Sequence, residues 1–538
     1  MRRWNGWGDD QIHFPLPDAA RARLETELGP ALQATDASLE SVLAAAGAPR
    51  LIDHPLLTTD PEERLGHSCG QGLPDWVALR FGRLPSFVDA VAYPTKYADL
   101  DRLYALAVEQ GSDLVPFGGG TSLLGQINPR RQANATIAVD LRQLCGLHAL
   151  DGDSGLATFG AGTVGPDIER ALAAEGFTLG HYPQSFEYAT LGGWIATRSS
   201  GQQSLGYGRI EDLFAGGRLW TPIGSWALPA IPASAAGPDL RQMVLGSEGR
   251  LGILTEATVR VRHLPQAETF AAAVLPDWET GLQTLRRISS QPGALSMLRL
   301  LDPLETSLTF LLSGHTRLAT WAERALGLLA GGQQRCLLIY GLTGERSAVS
   351  AGGRRVVRLV RRHAGWPLGP WIGQQWRRAR FRTPYLRNAL WRAGFAVETF
   401  ESSFTWAQLG SATEGLLSAL DSALAPLGDR SLAFGHVSHT YPDGACLYVT
   451  TVFRHHADPD RTLSAWRALK TASLTAIQQS GGTVSDHHGV GTDHRQHLAP
   501  EKGRIGLQLL AAVQRQIDPG GILNPGKLLP DMEDGGSS

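Results

Sequence analysis

Cysteine is scarce in this 538-residue chain. Its four cysteines, Cys69, Cys145, Cys336 and Cys446, stand far apart, and no C-x-x-C pair occurs. That excludes a disulfide framework or a cysteine-based zinc site and fits a reducing compartment. Charge of one sign is also missing: 49 basic and 51 acidic residues leave a net −2, so global charge points to no polyanionic partner and no nucleic acid. No apolar run reaches 18 residues, the opening MRRWNGWGDD leads into no apolar stretch, and the polar DMEDGGSS carries no S-K-L. The expectation is a cytoplasmic protein without signal peptide, transmembrane helix or peroxisomal C-terminal signal. Internal repeats and a G-K-[ST] P-loop are absent as well, which removes repeat arrays and the P-loop nucleotide folds.

Glycine is what the chain has in excess: 63 residues, about 12% against a usual ~7%. They cluster instead of repeating, so they mark tight turns and close backbone approaches. The length exceeds one ordinary core and predicts two or three domains. Strands are expected at 90–94, 113–117, 135–141 and 158–161, with helices at 39–46, 96–109 and 164–175. Near residue 266 this alternation gives way to helices at 278–289, 320–329 and 463–479 and strands at 335–340, 436–437 and 446–453. The fold class is α+β in two domains. Four glycine loops stand out: Pro116-Phe117-Gly118-Gly119-Gly120-Thr121-Ser122 at a strand end, Leu191-Gly192-Gly193, Gly206-Tyr207-Gly208-Arg209, and Gly246-Ser247-Glu248-Gly249-Arg250-Leu251-Gly252. Any one of them reads as a plain turn. Together they suit one long ligand, with inward N–H groups and the Thr121 and Ser122 hydroxyls binding an anion.

This ordered set resembles the FAD-binding domain of the vanillyl-alcohol-oxidase (PCMH-type) superfamily. Pro183-Gln184-Ser185-Phe186-Glu187-Tyr188-Ala189-Thr190 resembles the P-D-S-x-E-F-S-T signature of its alkyl-dihydroxyacetonephosphate synthase branch, with Gln184 and Tyr188 departing from it. RWNGWG near the start, Tyr441 before Asp443-Gly444-Ala445-Cys446, and His487-His488-Gly489-Val490-Gly491 also fit that branch. The resemblance implies an N-terminal segment at 1–80, a PCMH-type FAD domain at 81–265, a cap or substrate domain at 266–479, and a segment at 480–538 that completes the FAD domain. It also implies that Gly118, Gly119, Gly120, Thr121 and Ser122 hold the FAD pyrophosphate, with Pro116 and Phe117 beside them on the cofactor. Pro183, Ser185, Glu187, Thr190, Gly192, Gly193, Ala196, Thr197, Ser199, Gly246, Glu248, Gly249, Leu251 and Gly252 would line the remaining cofactor. No histidine lies between Pro116 and Gly125, so the FAD is expected to be non-covalent.

Among catalytic candidates, Tyr441 matches the branch tyrosine; a phenol with pKa near 10 needs neighbours that lower it before it moves protons at neutral pH. The branch shows three histidines where this chain has Asp486-His487-His488. The carboxylate at 486 can orient His487, and on an extended strand only one of the two rings would reach the site, with His488 favoured. Arg299 sits in an apolar strand and needs Asp302, another carboxylate or a substrate as partner; the resemblance gives it a role in activity. Arg387 matches an arginine that binds the substrate phosphate through its planar fork. His494 and His497 have i,i+3 spacing, but Pro500 follows and no metal frame accompanies them; they are read as solvated and no metal is expected.

Residues 354–392 interleave eleven arginines with Trp366, Trp371, Trp376 and Trp391, which suits a solvated helix face or a patch at a membrane surface. The resemblance implies exchange of the acyl chain of acyl-dihydroxyacetone phosphate for a fatty alcohol, through a flavin N5 adduct and without net redox. It also implies a lipid-phosphate substrate, peripheral contact with membranes and a homodimer. Two other readings stay open: an FAD-dependent oxidoreductase acting on a 2-hydroxy acid or alcohol, and a non-catalytic flavin- or lipid-binding protein.

Overall fold

The computed structural model describes residues 1–530 apart from 33–34, 132–133, 292 and 313–333; the helix expected at 320–329 lies outside the described residues. Strand Asp113–Phe117 pairs in parallel with Thr136–Asp140, which pairs in parallel with Ala90–Ala92. Parallel strands need a crossover, and helix Tyr97–Gln110 supplies the one from Ala90–Ala92 to Asp113–Phe117, which flank Thr136–Asp140 on either side. Its Leu100, Leu103, Leu106 and Ala107 are buried at helical spacing, and Gly111 ends it with φ 61°, a conformation open to a residue without Cβ. The strand expected at 158–161 is Leu156–Gly160 in a five-stranded antiparallel sheet. Trp220 and Ile253 of that sheet share a core with Leu114, Ile137 and Val139 of the first.

A seven-stranded antiparallel sheet fills the middle of the chain, in the order Trp366–Gly369, Ala267–Leu275, Cys336–Gly344, Leu295–Leu301, Ser431–Thr440, Gly444–Arg454, Phe395–Thr405. Strand side chains alternate between faces. Ala271, Ala273 and Leu275 join the large core on one side, and Phe270, Ala272 and Val274 a second core on the other. Burial on both faces explains the nearly continuous apolar runs.

This sheet divides the arginine- and tryptophan-rich segment. Helix Arg346–Arg362 packs Val349, Val356 and Val360 into the large core, leaving Arg354, Arg358, Arg361 and Arg362 exposed. Helix Pro370–Ala379 lies across the opposite face, where Ile372 and Trp376 pack on the second core. The segment is therefore two surfaces, not one patch.

Past helix Pro459–Gln479, capped by the Asp458 side chain with Pro459 in its first turn, the chain returns to the first sheet. Leu114 donates its N–H to the Ile522 carbonyl (2.9 Å) and accepts from the Asn524 N–H (2.8 Å). That return carries Gly489 to Gly491 against the glycine loops.

Candidate active site

A cavity of about 820 Å³ runs between the first two sheets and the seven-stranded sheet. Pro116, Phe117, Gly118, Gly119, Gly120, Thr121 and Ser122 line it, with Pro183, Ser185, Thr190, Gly192, Gly193, Ala196, Thr197, Ser199, Glu248, Gly249 and Gly252. The glycines are there because the loops touch. A Cβ at Gly119 would stand 2.0 Å from the Tyr188 carbonyl oxygen, and one at Gly118 would stand 2.4 Å from Thr190 Oγ1. The same Oγ1 caps helix Leu191–Thr197 at Gly193 N (3.3 Å). The loop Gly246 to Gly249 docks by Gly246 N–H to Ile195 O (3.1 Å) and Glu248 N–H to Ala196 O (2.9 Å).

Glu248 is held at φ 51°, a strained conformation for a residue with a Cβ. Its carboxylate accepts from the N–H groups of Val490 (2.7 Å) and Gly491 (2.9 Å), and burial pushes its pKa up to about 6. Glu187, Gly246 and Leu251 do not line the cavity. Glu187 is exposed on the one-turn bend from Ser185 to Ala189, whereas Leu251 is core.

The opposite wall is polar where His436, His439, Tyr448, His487 and His488 meet. Residues 485–488 are not a strand. They curl around the Glu401 carboxylate, which accepts from the N–H groups of Asp486, His487 (3.3 Å) and His488 (2.8 Å) and from Ser485 Oγ (2.8 Å). That curl corrects the expectation of opposed rings: both imidazoles reach the cavity, 4.6 Å apart. Burial alone would lower His487; Glu401 and Asp486, whose Oδ2 is 2.9 Å from Nδ1, outweigh it and raise it. Burial, then His487 and Lys470, hold His488 well below the usual imidazole range. Of the two rings, His487 is the one whose surroundings favour the proton and His488 the one whose surroundings disfavour it.

Tyr441 lies behind this wall and does not line the cavity. Its hydroxyl donates to Asp486 Oδ1 (2.7 Å) and accepts from Arg209 Nη1 (2.6 Å). Burial, then the Asp486 charge, raises its pKa, so the phenol stays protonated. Asp486 also accepts from Arg209 Nη1 (3.0 Å) and from Ser403, and Arg209 leads the influences that carry it well below the carboxylate range despite burial. Glu401, Cys446, Asp486 and His487 offer donor atoms within 4.8 Å of one another, but internal hydrogen-bond donors already occupy both carboxylates. His494 is buried, its Nε2 3.4 Å from Lys470 Nζ, contrary to the solvated reading.

Arg299 finds its partner in Glu305 (3.2 Å). Asp302 instead accepts from the N–H groups of Glu305 (2.6 Å) and Gly435 (2.6 Å). Arg387 lines the cavity with its guanidinium 4.4 Å from the Trp76 ring centroid, donating to the carbonyls of Gln71 (2.5 Å) and Val397 (3.3 Å). Beyond these polar groups, Leu16, Leu24, Leu308, Phe310, Ile372 and Trp376 are among the apolar lining residues. Sequence reasoning passed over Glu401, Glu305, His436 and Arg209 as functional residues. Glu401 sits in strand Phe395–Thr405 among Glu398, Thr399, Ser402 and Ser403, so the apolar surroundings that singled out Arg299 do not mark it.

Residues 88–227 match the family model of an FAD binding domain and residues 264–528 that of the FAD linked oxidases, C-terminal domain. The alkyldihydroxyacetonephosphate synthase of Dictyostelium discoideum is 30% identical over 89% of this chain and 79% of its own. The chain belongs to the alkyldihydroxyacetonephosphate synthase family. The synthase of Trypanosoma brucei brucei is 28% identical over 98% of this chain and 92% of its own. A solved alkyldihydroxyacetonephosphate synthase structure superposes with a TM-score of 0.79 at 27% identity, over 97% of this chain and 98% of that one. The α+β architecture is thus the two-domain PCMH-type FAD-binding fold. Within the family pattern, Tyr188 stands where the signature has phenylalanine. Its added hydroxyl is bonded to Tyr385 Oη (2.7 Å), and its ring packs edge-on against Trp7.

Proposed function

We propose that this protein is an FAD-dependent alkyl-dihydroxyacetonephosphate synthase. It exchanges the acyl chain of acyl-dihydroxyacetone phosphate for a fatty alcohol, with no net oxidation or reduction. The observation that carries the reading is the continuity of one cavity, which joins three of the four glycine loops (Gly206 to Arg209 does not line it), the Arg387 guanidinium, a histidine pair and an apolar arm. An oxidoreductase of small hydroxy acids has no use for that arm.

The glycine loops fit FAD, because their glycines bring several backbone segments within contact of one another around the cavity. Bound FAD supplies the electron-pair chemistry that makes the substrate carbon exchangeable. Along residues 116–127, 183–202 and 244–254 no lining residue is a histidine, cysteine or tyrosine, which supports non-covalent binding. Arg387 holds the phosphate. Arg299, fixed by Glu305, orients the substrate next to it. His487, charged between Asp486 and Glu401, donates its proton to the departing carboxylate. Tyr441, locked as a donor onto Asp486, positions this acid and does not itself transfer the proton. His488, neutral, accepts from bound substrate.

No described helix is long and apolar enough to cross a membrane. Helix Pro370–Ala379, with Trp371 57% exposed and also on the cavity lining, is the surface that contacts lipid, and Arg378 beside it suits anionic headgroups. The protein works as a peripheral homodimer. Incubation with acyl-dihydroxyacetone phosphate and labelled hexadecanol tests the reading: labelled ether product and released fatty acid are expected, and their absence overturns it.

A further inference from the structure

A second acid–base couple lines the same cavity, across Tyr448 from His487. Strand Leu295–Leu301 turns Met297, Arg299 and Leu301 to the cavity, and strand Ser431–Thr440 turns Phe434, His436 and Ser438 there. The register places His436 opposite Leu301. Helix Pro303–Leu312 brings Glu305 alongside, and Asp302 fixes its start by accepting from the N–H groups of both Glu305 and Gly435 (2.6 Å each). The helix is therefore tied to the strand residue next to His436.

Glu305 Oε2 lies 2.8 Å from His436 Nδ1. Arg299 Nη2 lies 3.2 Å from the same nitrogen and 3.2 Å from Glu305 Oε1. The shorter contact sets the tautomer: Nδ1 carries the proton toward Glu305, and Nε2 is the acceptor. Nε2 makes no hydrogen bond to a described residue, although His436 is only 4% exposed and lines the cavity. The ring stacks on Tyr448 at 5.1 Å, and Tyr448 separates it from His487 at 6.1 Å. Leu308, Phe310 and Ile339 complete an apolar wall beside the couple. A histidine held by a carboxylate, with its far nitrogen open to a hydrocarbon-lined cavity, has the arrangement of a general base for a hydroxyl on an alkyl chain.

We infer that His436, positioned by Glu305, is the base that deprotonates the incoming fatty alcohol, a task separate from that of His487. The alcohol O–H bond breaks and its proton passes to Nε2. The freed electron pair on oxygen forms the C–O bond at the carbon that the fatty carboxylate has left. Glu305 stabilises the resulting imidazolium until the proton returns to solvent. The two couples divide the labour by charge. Burial, then Arg299, lowers the His436 pKa, leaving it neutral and able to accept, whereas His487 is raised and able to donate.

The inference rests on the synthase reading, and its test distinguishes the two. His436→Gln, checked for bound flavin by absorbance, is assayed with acyl-dihydroxyacetone phosphate and either hexadecanol or 2,2-difluorohexadecanol, whose hydroxyl is more acidic. The ether-forming rate with hexadecanol is expected to fall about 100-fold, within the range for loss of a general base. With the fluorinated alcohol the loss is expected to be under about 10-fold, because a more acidic hydroxyl depends less on the base. Equal losses with both alcohols, or no loss with either, overturn the assignment. Glu305→Gln, measured the same way, should show the same preference for the fluorinated alcohol, and it decides the matter where His436→Gln yields no flavin-bound protein. Absence of ether product from the unmodified protein with either alcohol would instead sink the synthase reading.

Discussion

Arg387→Lys isolates geometry from charge at the end of the cavity proposed to take the substrate phosphate. A guanidinium has five N–H donors, and two of them are given to the carbonyls of Gln71 and Val397, which leaves three for a ligand. The arginine is stacked on Trp76, and burial lowers its pKa; a desolvated cation with only carbonyl partners gains most from an incoming dianion. Lysine keeps the charge but loses the fork. Losing one charge-assisted hydrogen bond costs about 1.5–3 kcal/mol, so KM for acyl-dihydroxyacetone phosphate should rise about 10- to 150-fold while kcat changes little. The assay compares that substrate with its dephosphorylated counterpart, acyl-dihydroxyacetone, using variant and parent matched for flavin content. A KM increase confined to the phosphorylated substrate is expected. An equal increase for both, or none, refutes the assignment of Arg387 to the phosphate.

Asp486→Asn removes the more buried of the two carboxylates on Arg209 and leaves Glu211 (3.2 Å), so the cost should stay below the roughly 3–5 kcal/mol of a fully unpaired buried charge and the denaturant midpoint should still drop; an unchanged midpoint contradicts the network. His487, raised above its ordinary 6.5, contributes stability that is full below pH 6.5 and lost as pH rises through the raised value. The stability gap between parent and Asp486→Asn should therefore narrow from pH 6 toward pH 9, and a gap independent of pH over that range argues against a charged His487. Acid precipitation should leave the yellow cofactor in the supernatant, whereas colour retained in the pellet would show a covalent link. Trp371→Ala should weaken cosedimentation with anionic vesicles and Arg358→Glu should not, because the two residues lie on opposite sides of the sheet; the reverse pattern would move the lipid contact to helix Arg346–Arg362.

The glycine-loop wall of the cavity was legible because its geometry is local. Gly118 to Ser122 follow a strand directly, and their need for glycine comes from a touching backbone segment whose own motif, Pro183 to Thr190, is also continuous in sequence. The opposite side depends on register. His436 meets Glu305 across 131 residues and Asp486 meets Arg209 across 277, and neither spacing can be read from the chain. The strand rule for His487 and His488 failed because Glu401, a single buried carboxylate 86 residues upstream of His487, draws three successive N–H groups inward. The arginines of 354–392 looked like one surface until the paired strand Trp366–Gly369 put a sheet between their two helices.

Anaerobic mixing of the flavin-loaded protein with acyl-dihydroxyacetone phosphate and labelled hexadecanol, followed by flavin absorbance and lipid analysis together, tests the central claim most directly. The account predicts labelled alkyl-dihydroxyacetone phosphate and one equivalent of fatty acid, with the flavin oxidised at the end as at the start. Lasting flavin reduction with no labelled ether would contradict it.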